Sequence, residues 1–436
     1  MEANAAGKAS GKGANMDDAK KLETLGEMSH SAWSGRGTLQ QLVDELKRQA
    51  ASKVDFVADT RSLRVDAVAA VPAVTEGKKV VTVGKPGSLR LAPADLRTGE
   101  WLPKAGLGIR PNALEQLGQA QNPGIPGGFL KDLAGLRPAR AADLLNGLMA
   151  DGPSRRFIRC LDGSVRAAMS DRYRVLDSLD IAFPTLEAAR SVGAEVLEAN
   201  LSETHMRLKL ICRNVWDAVE MRRQQGGSWY AGGLGNQDYL RHVSARSEGD
   251  LPGGPGTVYP VVTVSNSETG NGGFNVRIGI MMGICFNLAT VEDVVARVHL
   301  GERLDTGIFS AQTMGLESKV ILAKARDAVV AAFNKDAFGR IVAAARKAQG
   351  DAVQAPTAAV QNVVKAAGLS DNAKDAILEH FLRDYDQSRF GLAQAVSRHA
   401  QDTQDPNTAD TLESLAGDLL RGGNKYAHAA LNAAAK

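Results

Sequence analysis

The hydrophobic pattern of this chain changes once, near Gly315, and that change limits the folds it can adopt. Between about 151 and 312, apolar and polar residues alternate in short runs, which is the period of a strand with one buried face. After Gly315, Ala and Leu recur at helical spacing between breaks at Asp, Gly and Pro. The sequence therefore predicts an α+β protein: an antiparallel sheet with helices in the middle third, then a C-terminal third of four or five helices.

The predicted sheet is built from strands that are adjacent in the sequence. The turn Leu161-Asp162-Gly163 indicates a hairpin, because Gly accepts positive φ. A helix is expected over 176–189, and another is expected to start near Thr290 with Asn287 as its cap. The expected strand pairs are 156–160 with 164–169, 195–200 with 205–213, and 258–264 with 274–285.

The first 150 residues divide into a tail and a mixed region. Residues 1–36 are rich in Ala, Gly, Lys and Ser and poor in large apolar residues, which predicts a disordered tail. A helix is predicted over 38–52, strands over 80–83 and 89–91, and a short helix over 141–149. The expected units are 1–36, 37–150, 151–312 and 313–436, with a Gly/Pro-rich connector over 103–128.

Composition excludes several classes of protein. Apolar residues make up 44% of the chain, enough for a core, yet no run is long enough to span a membrane. The N-terminus has no apolar stretch typical of a secretory signal. The three cysteines, Cys160, Cys212 and Cys285, are far apart and form no CxxC motif. We therefore expect free buried thiols in a reducing compartment such as the cytoplasm.

Cations recur on one face of the predicted strands. In 205–213, Met206 and Leu208 point one way while Arg207 and Lys209 point the other, and Arg277 lies opposite the apolar face of its own strand. A sheet with cations on an open face can bind a phosphate backbone. The same pattern is typical of a plain solvated sheet face. The candidate nucleic-acid-binding residues are Arg166, Arg172, Arg174, Arg207, Lys209, Arg213 and Arg277.

The sequence contains no recognisable catalytic or metal-binding motif. The histidines form no HExxH pattern, and the Gly-rich run 226–235, with Trp229 and Tyr230, fits neither GxGxxG nor a P-loop. We expect no cofactor and no metal. Cys285, His299 and Glu268 could form a Cys-His arrangement, but Cys285 lies in an apolar run that favours an inert buried thiol.

Three elements, in order, resemble a phage- and plasmid-associated family called domain of unknown function 932. The first is Ser170-Asp171-Arg172-Tyr173-Arg174, and the second is the Asn266-Ser267-x-x-Gly270 turn followed by Cys285-x-Asn287 and His299. The third is the C-terminal pair of segments 390–400 and 412–417. Gln394 and Ser397 stand where the family has Asn and Thr. The motif residues are Asp171, Tyr173, Asn266, Ser267, Gly270, Cys285, Asn287 and His299.

The resemblance implies a phage, prophage or plasmid context and no established reaction. With a net charge of +3 and the basic strand faces, the favoured hypothesis is a nucleic-acid-binding protein of recombination or replication. It could anneal single-stranded DNA without covalent catalysis, as a homo-oligomer that extends its groove. The alternative is a structural or interaction protein, accessory or assembly, whose helical C-terminus forms an oligomerisation surface. An enzyme is the third and least favoured hypothesis.

Overall fold

The computed structural model describes residues 35–67, 74–76, 79–81, 89–93, 107–173, 176–220, 252–253, 256–283, 287–291 and 311–433. The predicted disordered tail therefore lies almost entirely outside the described residues. Within these ranges, no helix has both the length and the apolar composition needed to cross a bilayer.

Helices flank the strands in the first two thirds and occupy the last third alone. The helices are α1 (Leu39–Ser52), α2 (Pro111–Gln121), α3 (Phe129–Leu136), α4 (Pro138–Asp151), α5 (Ser178–Ser191), α6 (Ala311–Ala332), α7 (Lys335–Gly350), α8 (Pro356–Ala367), α9 (Asp371–Asp384), α10 (Arg389–Asp402), α11 (Pro406–Arg421) and α12 (Lys425–Leu431). Thr38 caps α1 in a capping box with Gln41, and Asp405 accepts from the Thr408 amide at the start of α11.

The strands form three sheets. They are β1 (Gly35–Gly37), β2 (Lys53–Asp59), β3 (Leu63–Ala67), β4 (Val74–Glu76), β5 (Lys79–Val81), β6 (Leu89–Pro93), β7 (Leu107–Ile109), β8 (Arg155–Leu161), β9 (Ser164–Ser170), β10 (Glu195–Leu201), β11 (Met206–Ile211), β12 (Asp217–Ala218), β13 (Thr257–Asn266), β14 (Asn275–Met282) and β15 (Leu288–Val291). Strands β4 and β5 pair only with each other.

Sheet A has seven strands in the order β1-β10-β11-β13-β14-β15, with β12 also paired to β13. Every pair is antiparallel, and Leu208 lies opposite Val264, which in turn lies opposite Val276. These side chains line one face of the sheet and belong to the larger hydrophobic core. Alternation along the strands thus places the apolar residues on that face, as the sequence predicted.

Sheet B has six strands in the order β2-β8-β9-β7-β6-β3, and its β7–β9 pair is parallel. Its edge strands β2 and β3 are joined by only the 3-10 turn Thr60–Ser62. A flat six-stranded sheet would separate its edges by about 24 Å, whereas this connection spans at most about 14 Å. Sheet B is therefore strongly curved, and its core contains residues of α2, α3 and α4, such as Leu117, Leu130 and Leu145.

The C-terminal helices share one hydrophobic core with sheet A. Buried residues from each of α6 to α12 lie in the same cluster as the apolar face of the sheet. Helix α11 approaches β15 closely at Gly417, where a Cβ would overlap the carbonyl oxygen of Thr290. Glycine at this position is what permits the contact. The helical third is thus part of the folded unit that contains sheet A.

The α+β prediction is confirmed, with sheets in the middle region and a helical C-terminal third. The hairpin is also confirmed, because Asp162 and Gly163 both have positive φ. The strands of the predicted unit 151–312 are divided, however: β8 and β9 join β2 in sheet B. Thr290 itself lies in a strand and does not begin a helix, because 288–291 pairs with β14; residues 292–300 lie outside the described residues. The described C-terminal third has seven helices, not four or five.

Candidate nucleic-acid interface

The predicted basic residues of sheet A do share one face. Lys209 lies opposite Thr263, which lies opposite Arg277, so the three form a row across β11, β13 and β14. Arg207 lies two residues from Lys209 on the same face. The alternation read from the sequence therefore gathers Arg207, Lys209 and Arg277, as expected.

This face is not open, because helix α11 covers it. Arg207 and Lys209 are only 5% and 3% exposed. The Lys209 ammonium lies 2.5 Å from a Glu413 oxygen and 3.2 Å from a Glu198 oxygen. The prediction of an exposed basic sheet face is wrong, since Glu413, 204 residues further along the chain, and Glu198 of the neighbouring strand neutralise Lys209. We call these side chains and Asp410 the α11 cluster; its members are Glu198, Arg207, Lys209, Arg277, Asp410 and Glu413.

The arginines of the α11 cluster are held in the same way. Arg277 forms an ion pair with Asp410 and donates to the Ser414 hydroxyl at 2.7 Å. Arg207 donates to the Asn407 amide oxygen at 2.9 Å, and its Nε lies 3.4 Å from Asp410. Burial opposes the charge of Asp410, yet Arg277 and then Arg207 outweigh it and lower the pKa of that carboxyl. The arginines thus have partners within the fold.

The two carboxyls Asp410 and Glu413 of the α11 cluster have pKa shifts in opposite directions. Burial, and then the charge of nearby Glu198, raise the pKa of Glu413, although Lys209 acts in the opposite direction. Two buried carboxylates share one ammonium, so a retained proton relieves their repulsion. Glu413 Oε2 has no hydrogen-bond partner among the described residues. Glu413 therefore retains a proton to a higher pH than an exposed glutamate does.

A second buried cluster surrounds Glu268 and joins the two sheets. Lys53 of β2 and Arg166 of β9 approach its carboxylate to 2.8 and 3.2 Å, and Arg159 of β8 lies 3.5 Å away. The Ser178 amide at the start of α5 also donates to it, at 2.6 Å. Arg159 additionally pairs with Asp55 and Asp177, at 2.9 and 2.7 Å. We call this group the Glu268 cluster.

The surroundings of Glu268 argue against this residue as a general base. Burial would raise the pKa of Glu268, but Lys53, Arg159 and Arg166 together lower it to about 2. A carboxylate with so low a pKa is a weak base near neutral pH. The other two residues of the enzyme hypothesis, Cys285 and His299, lie outside the described residues.

The remaining predicted cations have three different environments. Arg166 belongs to the Glu268 cluster, and Arg213 forms an ion pair with Glu195 at the surface. Arg172 is exposed in the turn after β9, while Arg174 lies outside the described residues. Arg166, Arg172 and Arg213 therefore do not form one surface with the α11 cluster.

The motif turn after β13 has a structural role in holding two elements together. The Asn266 side chain donates to the Leu176 carbonyl at 2.8 Å and to the Ser178 hydroxyl at 3.2 Å. Ser267 Oγ accepts from the Asn271 amide at 3.1 Å. Gly270 has φ of 77°, as the turn prediction requires. The turn thus ties β13 to the start of α5.

The motif residues after β9 contribute packing more than charge. Tyr173 packs against Phe157, Ala167 and Met169, and burial raises the pKa of its hydroxyl. Asp171 lies 4.0 Å from Arg155, whose side chain is largely exposed. An ion pair between surface groups of this kind contributes little stability.

Asn287 contacts α10, although the sequence predicted a helix cap. Its side-chain amide donates to the Tyr385 hydroxyl at 2.7 Å and to the Gln394 side chain at 3.1 Å, and it accepts from Gln401 at 2.8 Å. Ser397 donates to the Leu288 carbonyl at 2.7 Å. Gln394 and Ser397, which depart from the family pattern, thus contact the strand element of the same motif.

Cysteine chemistry and metal binding find no support among the described residues. Cys160 and Cys212 are free and buried, as predicted. Burial, and then the charge of Asp55, raise the pKa of the Cys160 thiol to about 12, which makes it unreactive. No group of three or more His, Cys, Asp or Glu in the described ranges could hold a metal ion. The Gly-rich run with Trp229 and Tyr230 lies outside those ranges.

Sequence reasoning missed a basic surface on α7. This helix carries four cations and one carboxylate, and all five side chains are exposed. Arg346 pairs with Asp217 at 2.6 Å. Lys335, Arg340 and Lys347 form no ion pair with any carboxylate of the described chain. We call these three residues the α7 basic face. Cations opposite the buried residues Phe338, Ile341 and Val342 were the signal that could have found it.

Comparisons with known proteins give no match to this chain. No protein-family model matches it, and searches of curated proteins and of solved structures found no match. The family resemblance therefore stands on the quoted residues alone.

Proposed function

We propose that the protein binds nucleic acid without covalent catalysis, through the α7 basic face. The observation that supports this proposal is the contrast in pairing. The strand cations are neutralised by Glu198, Asp410 and Glu413, while Lys335, Arg340 and Lys347 face solvent without a carboxylate partner in the described chain. Lysine and arginine that are free of internal partners can replace the counterions around a phosphate backbone.

The spacing of these cations suits an extended polyanion. Arg340 and Lys347 are seven residues apart, two helical turns, so they lie about 10 Å apart along the helix axis. Between the cations on the exposed surface are Gly339 and Ala343, and nothing lies within 4 Å of a Cβ built on Gly339. Small side chains there let a phosphate backbone approach the helix closely.

The biological setting of the proposal comes from the resemblance. It favours recombination or replication of a phage, prophage or plasmid in the bacterial cytoplasm, with single-stranded DNA as the expected partner. Annealing two strands needs no catalytic residue, only a surface that holds backbones and an oligomer that extends it. Light scattering of the full chain with and without DNA tests the oligomer.

The decisive experiment is a filter-binding titration of single- and double-stranded DNA against salt. We expect the triple variant Lys335→Gln, Arg340→Gln, Lys347→Gln to bind single strands more weakly and to flatten the log–log salt dependence by up to about 2, since each lost phosphate contact removes roughly 0.7. The matched control replaces three exposed cations with Gln: Lys131 of α3, Arg137 between α3 and α4, and Arg140 of α4. The two helices also carry three carboxylates, so these cations are balanced in number by acidic residues. That control should bind like the parent protein.

Two outcomes would remove the proposal. One is a parent protein that retains no DNA at about 50 mM salt, where electrostatic binding is strong. The other is a triple variant with unchanged affinity and slope. Equal losses in the triple variant and in its control would mean that bulk charge, and not this face, attracts DNA.

The alternative function is that of an accessory or assembly protein without nucleic-acid activity. A separate observation favours it, namely the apolar outward face of α6. That face carries the inference below, which does not depend on DNA binding.

A further inference from the structure

Helix α6 is apolar on two opposite sides. Its inner side buries Ala325, Ala328 and Val329 in the core shared with sheet A. Its outer side exposes Leu316 by 56% and Val320 by 52%. A helix at the surface of a monomer normally presents polar residues on its outer side, and an apolar outer side indicates a partner.

The outward residues follow a heptad seam. Leu316, Val320, Ala323, Asp327 and Val330 are spaced by four, three, four and three residues, the d-a-d-a-d spacing of a coiled coil. All five are exposed. The seam is two heptads long, about 21 Å along the helix axis. Its a and d positions form a stripe that one partner helix would cover. Because the core holds α6 in place, the partner meets an already ordered helix.

Cations border the seam on both sides. The e positions hold Glu317 and Lys324 and the g positions hold Lys319 and Arg326, so the border has one carboxylate and three cations. All three cations are exposed, and only Arg326 pairs with a described carboxylate, its neighbour Asp327 at 3.2 Å. The e and g residues of a coiled coil select the partner by charge. This border therefore favours a helix with Asp and Glu at its own e and g positions.

The same border disfavours a second copy of this chain. In a parallel pair, Lys319 of each copy would face Lys324 of the other, and the two Asp327 side chains would meet in the seam. In an antiparallel pair, g positions face g positions, so Lys319 and Arg326 would face cations again. Both arrangements bring like charges together, which is destabilising.

A lipid surface fits less well than a helix. The outer side of α6 carries no aromatic residue among its described side chains, and its largest apolar residue is Leu316. Interfacial helices usually insert Trp, Phe or Leu and keep charge off the apolar side. Here Asp327 lies in the middle of the stripe, where it suits a partner cation and not an acyl chain.

We propose that the outward seam of α6 binds an amphipathic helix of another protein, bordered by Asp and Glu, as a short two-stranded coiled coil. The test uses two synthetic peptides of about four heptads with the same apolar seam and one Lys at a central a position. One peptide has Glu at every e and g position, and the other has Lys there. Binding of each labelled peptide to the full chain is followed by fluorescence anisotropy.

We expect the Glu peptide to bind at least about tenfold more tightly than the Lys peptide. The double variant Lys319→Glu, Lys324→Glu should reverse this preference. Val320→Asp should abolish binding of both peptides, while far-UV circular dichroism and the thermal midpoint stay unchanged, because residue 320 faces solvent. Leu136→Asp, which changes an exposed apolar residue of α3 away from the seam, is the matched control for Val320→Asp and should bind like the parent.

Other results would overturn the proposal. They are no binding of the Glu peptide, equal binding of both peptides, or a Val320→Asp variant that binds as the parent does. Self-association that Val320→Asp abolishes would assign the seam to a second copy. Flotation with vesicles of phosphatidylcholine and phosphatidylserine that depends on Val320, without peptide binding, would assign it to lipid. None of these measurements involves the α7 basic face, so failure here and failure of DNA binding are distinguishable.

Discussion

The cations of sheet A and those of α7 look alike in the sequence and have opposite surroundings in the fold. Arg207, Lys209 and Arg277 lie under α11 and pair with carboxylates. Lys335, Arg340 and Lys347 lie at the surface without such partners in the described chain. Alternation in a sequence therefore indicates which way a side chain points, while tertiary packing decides whether that side of the sheet is covered.

Buried charge makes the first group structural. A buried ion pair adds little net stability, but removing one partner leaves an uncompensated charge, which costs several kcal/mol. Exposed cations show the reverse behaviour, since their loss changes stability little and changes the attraction of polyanions more. Substitutions in the two groups should therefore separate cleanly into folding effects and binding effects.

The largest expected effect is at Glu268, the carboxylate that three buried cations share. Glu268→Gln should lower the free energy of unfolding by about 3–5 kcal/mol, because Lys53, Arg159 and Arg166 would lose their common counterion. Urea denaturation followed by tryptophan fluorescence measures this loss. The control Glu203→Gln removes a half-exposed partner of Arg110 and should cost less than about 1 kcal/mol. Similar losses in both variants would refute the structural role of the Glu268 cluster.

A pair of glycines compares the covered helix with the exposed one. Gly417→Ala on α11 should destabilise the protein by about 1–3 kcal/mol, since the new methyl group overlaps the Thr290 carbonyl. Gly339→Ala on α7 meets no atom and should stabilise the helix by up to about 1 kcal/mol. Thermal midpoints of the two variants should move in opposite directions. Midpoints that move together would contradict the packing of α11 on β15.

The two buried clusters should also respond to pH in opposite senses. Glu268 has a lowered pKa, so its contribution to stability is present above its ordinary pKa and is lost as pH falls towards 2. Glu413 has a raised pKa, so its contribution is present at low pH and is lost as pH rises through the raised value.

Urea midpoints across a pH series test this difference. Glu413→Gln should remove a decline in stability that begins as pH rises through 4.5, the ordinary glutamate pKa, and Glu268→Gln should flatten the acid limb below 4.5. The exposed Glu379→Gln serves as control and should leave both limbs in place. An unchanged decline in Glu413→Gln would show that the proton is held elsewhere.

Local features of this fold were predictable from the sequence because their causes are local. The Leu161-Asp162-Gly163 hairpin, α1 with its Thr38 cap, and the positive φ of Gly270 each depend on a few neighbouring residues. The alternation in β11 and β14 correctly placed Arg207, Lys209 and Arg277 on one side.

Long-range features were not predictable in this way. Nothing near Lys209 indicates that Glu413 will lie beside it, and nothing near Asn287 indicates Gln394. The short strand β15 was misread as a helix because its neighbour β14, and not its own period, fixes it. The α7 basic face could have been predicted, because its cations lie opposite the apolar residues Phe338, Ile341 and Val342.

The most direct test of the covered basic face is a double-mutant cycle between Arg277 and Asp410. The free energy of unfolding is measured for the parent, Arg277→Ala, Asp410→Ala and the double variant. Because these residues pair in the fold, we predict a coupling of at least about 1 kcal/mol between them. Effects that add within about 0.5 kcal/mol, together with weaker DNA binding in Arg277→Ala, would show that the residue faces a ligand and not α11.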